Sequence, residues 1–173
     1  MKDVRDRLPS DRLFPADPTV RAIARRLYAA IRDLPIISPH GHTDPQWFAD
    51  NAAFPDPAAL LLIPDHYVFR MLYSQGIRLE DFGVRALDGS AIEHDSRKIW
   101  RLFASHYYLF RGTPSRMWFD WVLANVFELE VPLTSENADR AYDTIAERLA
   151  MDAFRPRALF ERFNIEALAT TES

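Results

Sequence analysis

Apolar positions along this chain fall mostly into stripes of helical period, punctuated by proline and glycine, with two short runs that read as strands. Val20, Ile23, Ala24, Leu27 and Ile31 recur on one helix face, behind an Asp17 able to cap and a Pro18 suited to the first turn. That helix ends near Asp33, before Pro35. Ile36 and Ile37 form a short strand. Pro45, Pro55, Pro57 and Pro64, with Pro39 just ahead, make the next stretch a loop region with one or two helical turns. Asp65 is placed to cap a helix running to about Gln75, stopped by Gly76, with Val68, Met71 and Leu72 inward. A longer helix is predicted over roughly 93–110, on Ile99, Trp100, Phe103, Tyr107 and Phe110. Thr113 and Pro114 open another, with Met117, Trp118, Trp121 and Val122 inside. A further helix from about Ser135 to Met151 carries Ala138, Tyr142, Ile145 and Leu149 on one face. Pro156 opens a last short helix ending near Phe163, and Ile165 to Thr171 reads as a second buried strand.

The order is therefore helix, strand, several helices, strand. Two short strands cannot close a sheet, and a (β/α)8 barrel takes about 250 residues. The pattern is that of the opening portion of a larger α/β protein with a helical insertion between its first two strands. It divides into 1–44 (helix and first strand), 45–163 (helical insertion) and 164–173 (second strand).

Composition narrows the class. The 173 residues are 48% hydrophobic and 13% aromatic, enough for a true core. A net charge of −4, with basic residues spread rather than clustered, argues against a nucleic-acid partner. The absence of cysteine removes disulfides, thiolate metal sites and cysteine nucleophiles, and is compatible with a reducing cytoplasm. No apolar run reaches about 18 residues, so no membrane partner is expected. The mixed charges of Met1 to Arg7 do not read as a signal peptide.

The candidate chemistry begins at Ser38-Pro39-His40-Gly41-His42-Thr43-Asp44-Pro45. In a strand, residues two apart point the same way, so His40 and His42 would aim two imidazoles at one point, with Gly41 adding no bulk. Two neutral imidazoles make half of a divalent-metal site, and a catalytic zinc takes three protein ligands plus water. The plainer alternative is a pair of loop histidines with Asp44 as a chance neighbour. Nitrogen and oxygen ligands without sulfur suit zinc, manganese or iron, and zinc is the expectation. His66 and Tyr67 fall in the first turn of their helix, near its positive end, with Arg70 one turn on. Tyr67 can pass a proton through its hydroxyl, and His66 and Arg70 can bind a carboxylate or sugar hydroxyls. From spacing alone, Tyr67 reads equally as a packed residue with its hydroxyl at the surface. His94 and His106 read as ordinary helix residues. Trp100, Trp118 and Trp121 read as core of the insertion rather than a sugar platform, and Arg97, Lys98 and Arg101 as a solvated face.

The HxH run, the later Asp65-His66-Tyr67-Val68-Phe69-Arg70 and the closing Phe163-Asn164-Ile165-Glu166-Ala167-Leu168-Ala169-Thr170-Thr171 together resemble the uronate isomerases of the amidohydrolase superfamily. The resemblance covers nearly the whole chain, including Val131-Pro132-Leu133-Thr134. The HxH alone would indicate only the superfamily; the Asp-His-Tyr-x-x-Arg element is more specific. The resemblance implies a metal-dependent (β/α)8 barrel with a helical insertion after its first strand. It implies interconversion of D-glucuronate with D-fructuronate and of D-galacturonate with D-tagaturonate. His40 and His42 would be metal ligands. His66, Tyr67 and, more weakly, Arg70 would face the sugar, with Tyr67 taking part in proton transfer. Family members are far longer, and the rest of their length would hold the remaining strands, a late-strand aspartate ligand and further arginine and histidine contacts. The expectation is an N-terminal fragment, inactive alone, of an enzyme that acts on a small hexuronate and is a homo-oligomer at full length. Two rivals stand beside it. A hydrolase or decarboxylase on the same scaffold would share His40 and His42 but leave His66, Tyr67 and Arg70 without a reason. A non-enzymatic helical interaction module would use the aromatic helices instead.

Overall fold

The computed structural model describes residues 8–171. The charged run Met1 to Arg7, on which the signal-peptide reading rests, lies outside them. In chain order the elements are α1 (Pro18–Ile31), β1 (Ile36–Ser38), α2 (Pro45–Asp50), α3 (Pro57–Leu61), α4 (His66–Tyr73), α5 (Ser96–His106), α6 (Pro114–Asn125), α7 (Ala138–Leu149), α8 (Pro156–Arg162) and β2 (Ile165–Leu168). Short 3-10 turns lie at Glu80–Phe82, Tyr107–Phe110 and Asp152–Phe154. None of the described helices is long and apolar enough to cross a membrane. The chain forms two compact units, Phe54–Met151 and Pro9–Ala53 together with the segment from Asp152 onward.

The Phe54–Met151 unit is built on α5. Asp95 caps it, its carboxylate accepting the backbone N–H groups of Arg97 at 2.9 Å and Lys98 at 3.1 Å. Ile99, Trp100, Phe103 and Ala104 are buried along one face, and α3 and α7 pack against the helix. From α7, Ala138, Ala141, Ile145 and Leu149 turn inward. The Trp100 indole N–H, fully buried, donates to the Ala138 carbonyl at 2.9 Å, so the largest core side chain leaves no polar atom unpaired. Phe103 sits among Tyr107, Phe110 and Phe119, with ring centroids 5.1–5.6 Å away. The buried Tyr107 hydroxyl donates to Asp120 at 2.9 Å. Arg116 bonds the other Asp120 oxygen, also at 2.9 Å, and lies over the Tyr107 ring. Burial and the Asp120 charge push the Tyr107 phenol well above its ordinary pKa, so it remains a donor.

Three expectations need correction in this unit. The helix predicted over 93–110 is α5 followed by a 3-10 turn, and His94 lies in the loop before it. The inward face of α6 is Phe119, Leu123 and Ala124; Trp118 is 47% and Trp121 42% exposed, and only Trp100 of the three tryptophans is core. Arg97, Lys98 and Arg101 form a solvent-facing side as expected, and there Arg97 and Arg101 bridge to Asp139 and Asp143 on α7 while Lys98 pairs with Glu93. Tyr142 and Met71 are half-buried rather than core.

In the other unit β1 and β2 pair in parallel, Ile36 opposite Ile165, Ile37 opposite Ala167 and Ser38 opposite Leu168, with an irregularity after Ile36. Parallel neighbours require a crossover, and here the crossover contains α2 to α8. Arg157 on α8 fastens α2: its backbone N–H donates to Asn51 Oδ1, and its guanidinium donates to the carbonyls of Phe48 at 2.8 Å and Ala49 at 3.0 Å. Those contacts fall where a helix end leaves acceptors unpaired. The expected burial of β2 does not hold. Ile165 and Leu168 are half-buried, Glu166 and Ala167 exposed, and Ile36 and Ile37 exposed on β1. The α1 stripe of Val20, Ile23, Leu27 and Ile31 is exposed as well. A two-stranded sheet has too little surface to bury its own apolar side chains.

Candidate functional site

His40 and His42 lie just beyond the carboxyl end of β1, not within it. The pairing nevertheless continues past the last strand residues. Ala169 N–H donates to the Ser38 carbonyl at 2.8 Å and Thr171 N–H to the Gly41 carbonyl at 2.8 Å. The β1 side advances from Ser38 to Gly41 while the β2 side advances only from Ala169 to Thr171. The segment thus carries one residue more than a regular ladder, in the manner of a bulge, which re-aims side chains. The Ser38 hydroxyl takes up the spare His40 carbonyl at 3.1 Å. Strict period-two alternation is therefore not what brings the imidazoles together. The bulge and its ladder bonds do so: the two ring centroids are 5.0 Å apart, the planes nearly perpendicular at 87°.

Two imidazoles sharing one tetrahedral ion through N–metal bonds of about 2.0–2.1 Å place their ring centres about 5 Å apart. The spacing of this pair therefore fits shared ligation. A Cβ at Gly41 would meet the Ala169 carbonyl at 3.4 Å and Leu168 Cδ1 at 3.5 Å, ordinary contact distances, so the space there would admit a small side chain. Asp44 is already engaged as the cap of α2, accepting the Gln46 N–H at 2.8 Å. Among the described residues no group of three or more His, Cys, Asp or Glu side chains is set to hold a metal.

His66, Tyr67 and Arg70 belong to the other unit, at the start of α4. Asp65 caps this helix through the N–H groups of Tyr67 at 2.8 Å and Val68 at 3.4 Å. Buried Val68 and Leu72 anchor its inner face. The outer face presents His66, Tyr67 and Arg70 to solvent; Tyr67 is 65% exposed, and its ring lies 4.3 Å from that of His66. Tyr67 is thus not a packed core residue. The exposed phenol, imidazole and guanidinium form a surface able to receive an anionic, hydroxyl-rich ligand, while the helix-start N–H groups of Tyr67 and Val68 are already taken by the Asp65 cap. His106 is held within its own helix region by the Leu102 carbonyl at 2.9 Å and Ser105 at 3.0 Å, with no catalytic partner among those contacts. Sequence reasoning assigned no role to Thr171, whose hydroxyl reaches the His42 ring. Only the cross-strand register reveals it.

A parallel strand pair joined by a long helical crossover, with histidines at the carboxyl end of the first strand, is an α/β arrangement with its candidate site where such folds place theirs. Residues 19–173 match the family described as glucuronate isomerase, and the chain belongs to that family. It is 66% identical over 162 residues to a uronate isomerase of Mesorhizobium japonicum, covering 94% of this chain and 34% of that relative. It superposes on the crystal structure of glucuronate isomerase from Caulobacter crescentus with a TM-score of 0.90 at 60% identity, over 95% of this chain and 34% of the other. The uronate isomerase of Thermotoga maritima gives a TM-score of 0.79 at 25% identity, over 95% and 33%. The chain spans about a third of the length of the curated relatives it matches.

Proposed function

We propose that this chain forms the opening strands and the helical insertion of a uronate isomerase, a metal-dependent (β/α)8 barrel. Its reactions would interconvert D-glucuronate with D-fructuronate and D-galacturonate with D-tagaturonate. The observation that carries the reading is the histidine pair at the carboxyl end of β1, at a spacing suited to shared ligation, in a chain of the glucuronate isomerase family. On this reading 1–44 is a helix and first barrel strand, 45–163 the insertion, and 164–173 the second strand. The protein would work in the cytoplasm as a homo-oligomer, on a small hexuronate and on neither nucleic acid nor membrane.

His40 and His42 would hold a divalent cation, zinc in our reading, through ring nitrogens. When bound, the cation supplies positive charge beside the oxygen that becomes anionic. The chain's own residues do the rest. An aldose–ketose isomerisation removes a proton from C2 and returns one at C1 through an enediol. Tyr67, exposed at the start of α4, would carry a proton to or from a substrate oxygen. His66 and Arg70 would bind the carboxylate and hydroxyls, aided by the positive end of the helix.

The test is an NMR assay of D-glucuronate with the metal-loaded, full-length gene product. Fructuronate is expected from the unaltered protein. We expect a loss of about 10²-fold or more in His40→Ala, and of about 10²–10⁴-fold in Tyr67→Phe, the range of a general acid–base group. A metal-loaded protein that makes no ketose would sink the isomerase and favour a hydrolase on the same scaffold.

A further inference from the structure

Thr171 stands at the end of the β2 ladder, and its three contacts determine how His42 is presented. Its backbone N–H donates to the Gly41 carbonyl at 2.8 Å. Its hydroxyl lies 3.0 Å from the same carbonyl and 3.2 Å from Nδ1 of His42. A hydroxyl has one proton to give and two lone pairs to receive with, whereas a carbonyl can only accept and has room for two donors. The Thr171 proton therefore goes to Gly41 O. Its contact with His42 is then satisfied only if Nδ1 carries the imidazole proton and donates to Thr171 Oγ1. In a neutral imidazole this leaves the lone pair on Nε2, the nitrogen remote from the β2 contact.

We infer that Thr171 is a positioning residue for the histidine pair, fixing the Nδ1–H tautomer and ring orientation of His42 so that Nε2 is the nitrogen offered to a divalent cation. The inference rests on the metal reading above. It adds which nitrogen ligates and which side chain on the neighbouring strand enforces that choice. The fold supplies the reason for threonine here. The extra residue between Ser38 and Gly41 displaces His42 from regular alternation, and the ladder bond from Thr171 fixes the backbone beside it, so one side chain secures both chain and ring. A partner of this kind on the second ring nitrogen commonly changes metal affinity by about 10–100-fold.

Thr171→Val keeps the shape and the backbone N–H while removing the hydroxyl; Thr171→Ser restores it. Both would be made in the full-length gene product, beside His42→Ala. Two readouts apply: zinc retention against a competing chelator, and long-range 15N–1H NMR of the histidine rings in the metal-free protein. The expected result is zinc held about 10–100-fold less tightly in Thr171→Val. The His42 signal should pass from the Nδ1–H tautomer to a mixture, with Thr171→Ser close to the unaltered protein in both. Unchanged zinc affinity and tautomer in Thr171→Val, with zinc lost in His42→Ala, would overturn the inference alone. Unchanged zinc affinity in His42→Ala would overturn the metal reading and this inference with it.

Discussion

Glu93 holds the entry to α5, its carboxylate accepting the backbone N–H groups of His94 at 3.0 Å and Asp95 at 2.9 Å while pairing with Lys98. Those contacts, the Lys98 hydrogen bond foremost, lower its pKa from 4.5 to about 2. Because the folded value is depressed, the carboxylate's contribution to stability is complete above about pH 4.5 and is lost as the pH falls toward 2. Glu93→Gln should accordingly flatten the acid limb of stability, which urea midpoints at pH 5.5 and pH 2.5 would show. The same residue illustrates what is legible. The helix expected from about 93 places Glu93 and Asp95 inside it, whereas both form its entry, and the pairing of Lys98 with Glu93 depends on how the loop before α5 folds back. At the candidate site, His40 and His42 were visible as residue types in a telling order. The bulge that aims them, and the Thr171 contact, involve residues about 130 positions apart in sequence and leave no mark on it.

Several helix starts followed the local signals closely, since caps and prolines act within a few residues, whereas the helices expected from about 93 and Ser135 begin at Ser96 and Ala138. Asp17 accepts from Val20, Asp65 from Tyr67, and Thr113 from Arg116, and each helix starts there. The face a helix buries is a different matter. In α6 the apolar residues Met117, Trp118, Phe119, Trp121, Val122 and Leu123 surround most of the axis, so periodicity cannot choose between sides. The choice is made by α5, whose Phe103 and the following Tyr107 offer an aromatic surface into which Phe119 fits. Phe119→Ala is therefore expected to cost about 3–5 kcal/mol. Trp121→Gln, on the open side, should stay within about 0.5 kcal/mol. Chemical denaturation of the two variants separates these cases, and the reverse ranking would mean that α6 presents its other face.

The core is unevenly shared across the molecule. Among the described residues every buried hydrophobic belongs to the Phe54–Met151 unit except Phe154. Backbone opening follows local burial. In hydrogen exchange of this chain, the amides of Phe103 and Ile145 should therefore be protected far longer than those of Ile36, Ala169 and Thr171, whose ladder is only two strands wide. Equal protection would show that the strand pair draws stability from contacts other than its own ladder. The sequence by itself determined the element order, the capped starts of α1, α4 and α6 and the histidine, tyrosine and arginine set, because those depend on residue type and on neighbours within about one helical turn. The tertiary structure alone decided which face of α6 is buried, how Arg97 and Arg101 tie α5 to α7, and which strand residue reaches His42. Each of these turns on register and packing between segments distant in the chain, where the energy lies in the match of two surfaces and neither surface specifies it alone.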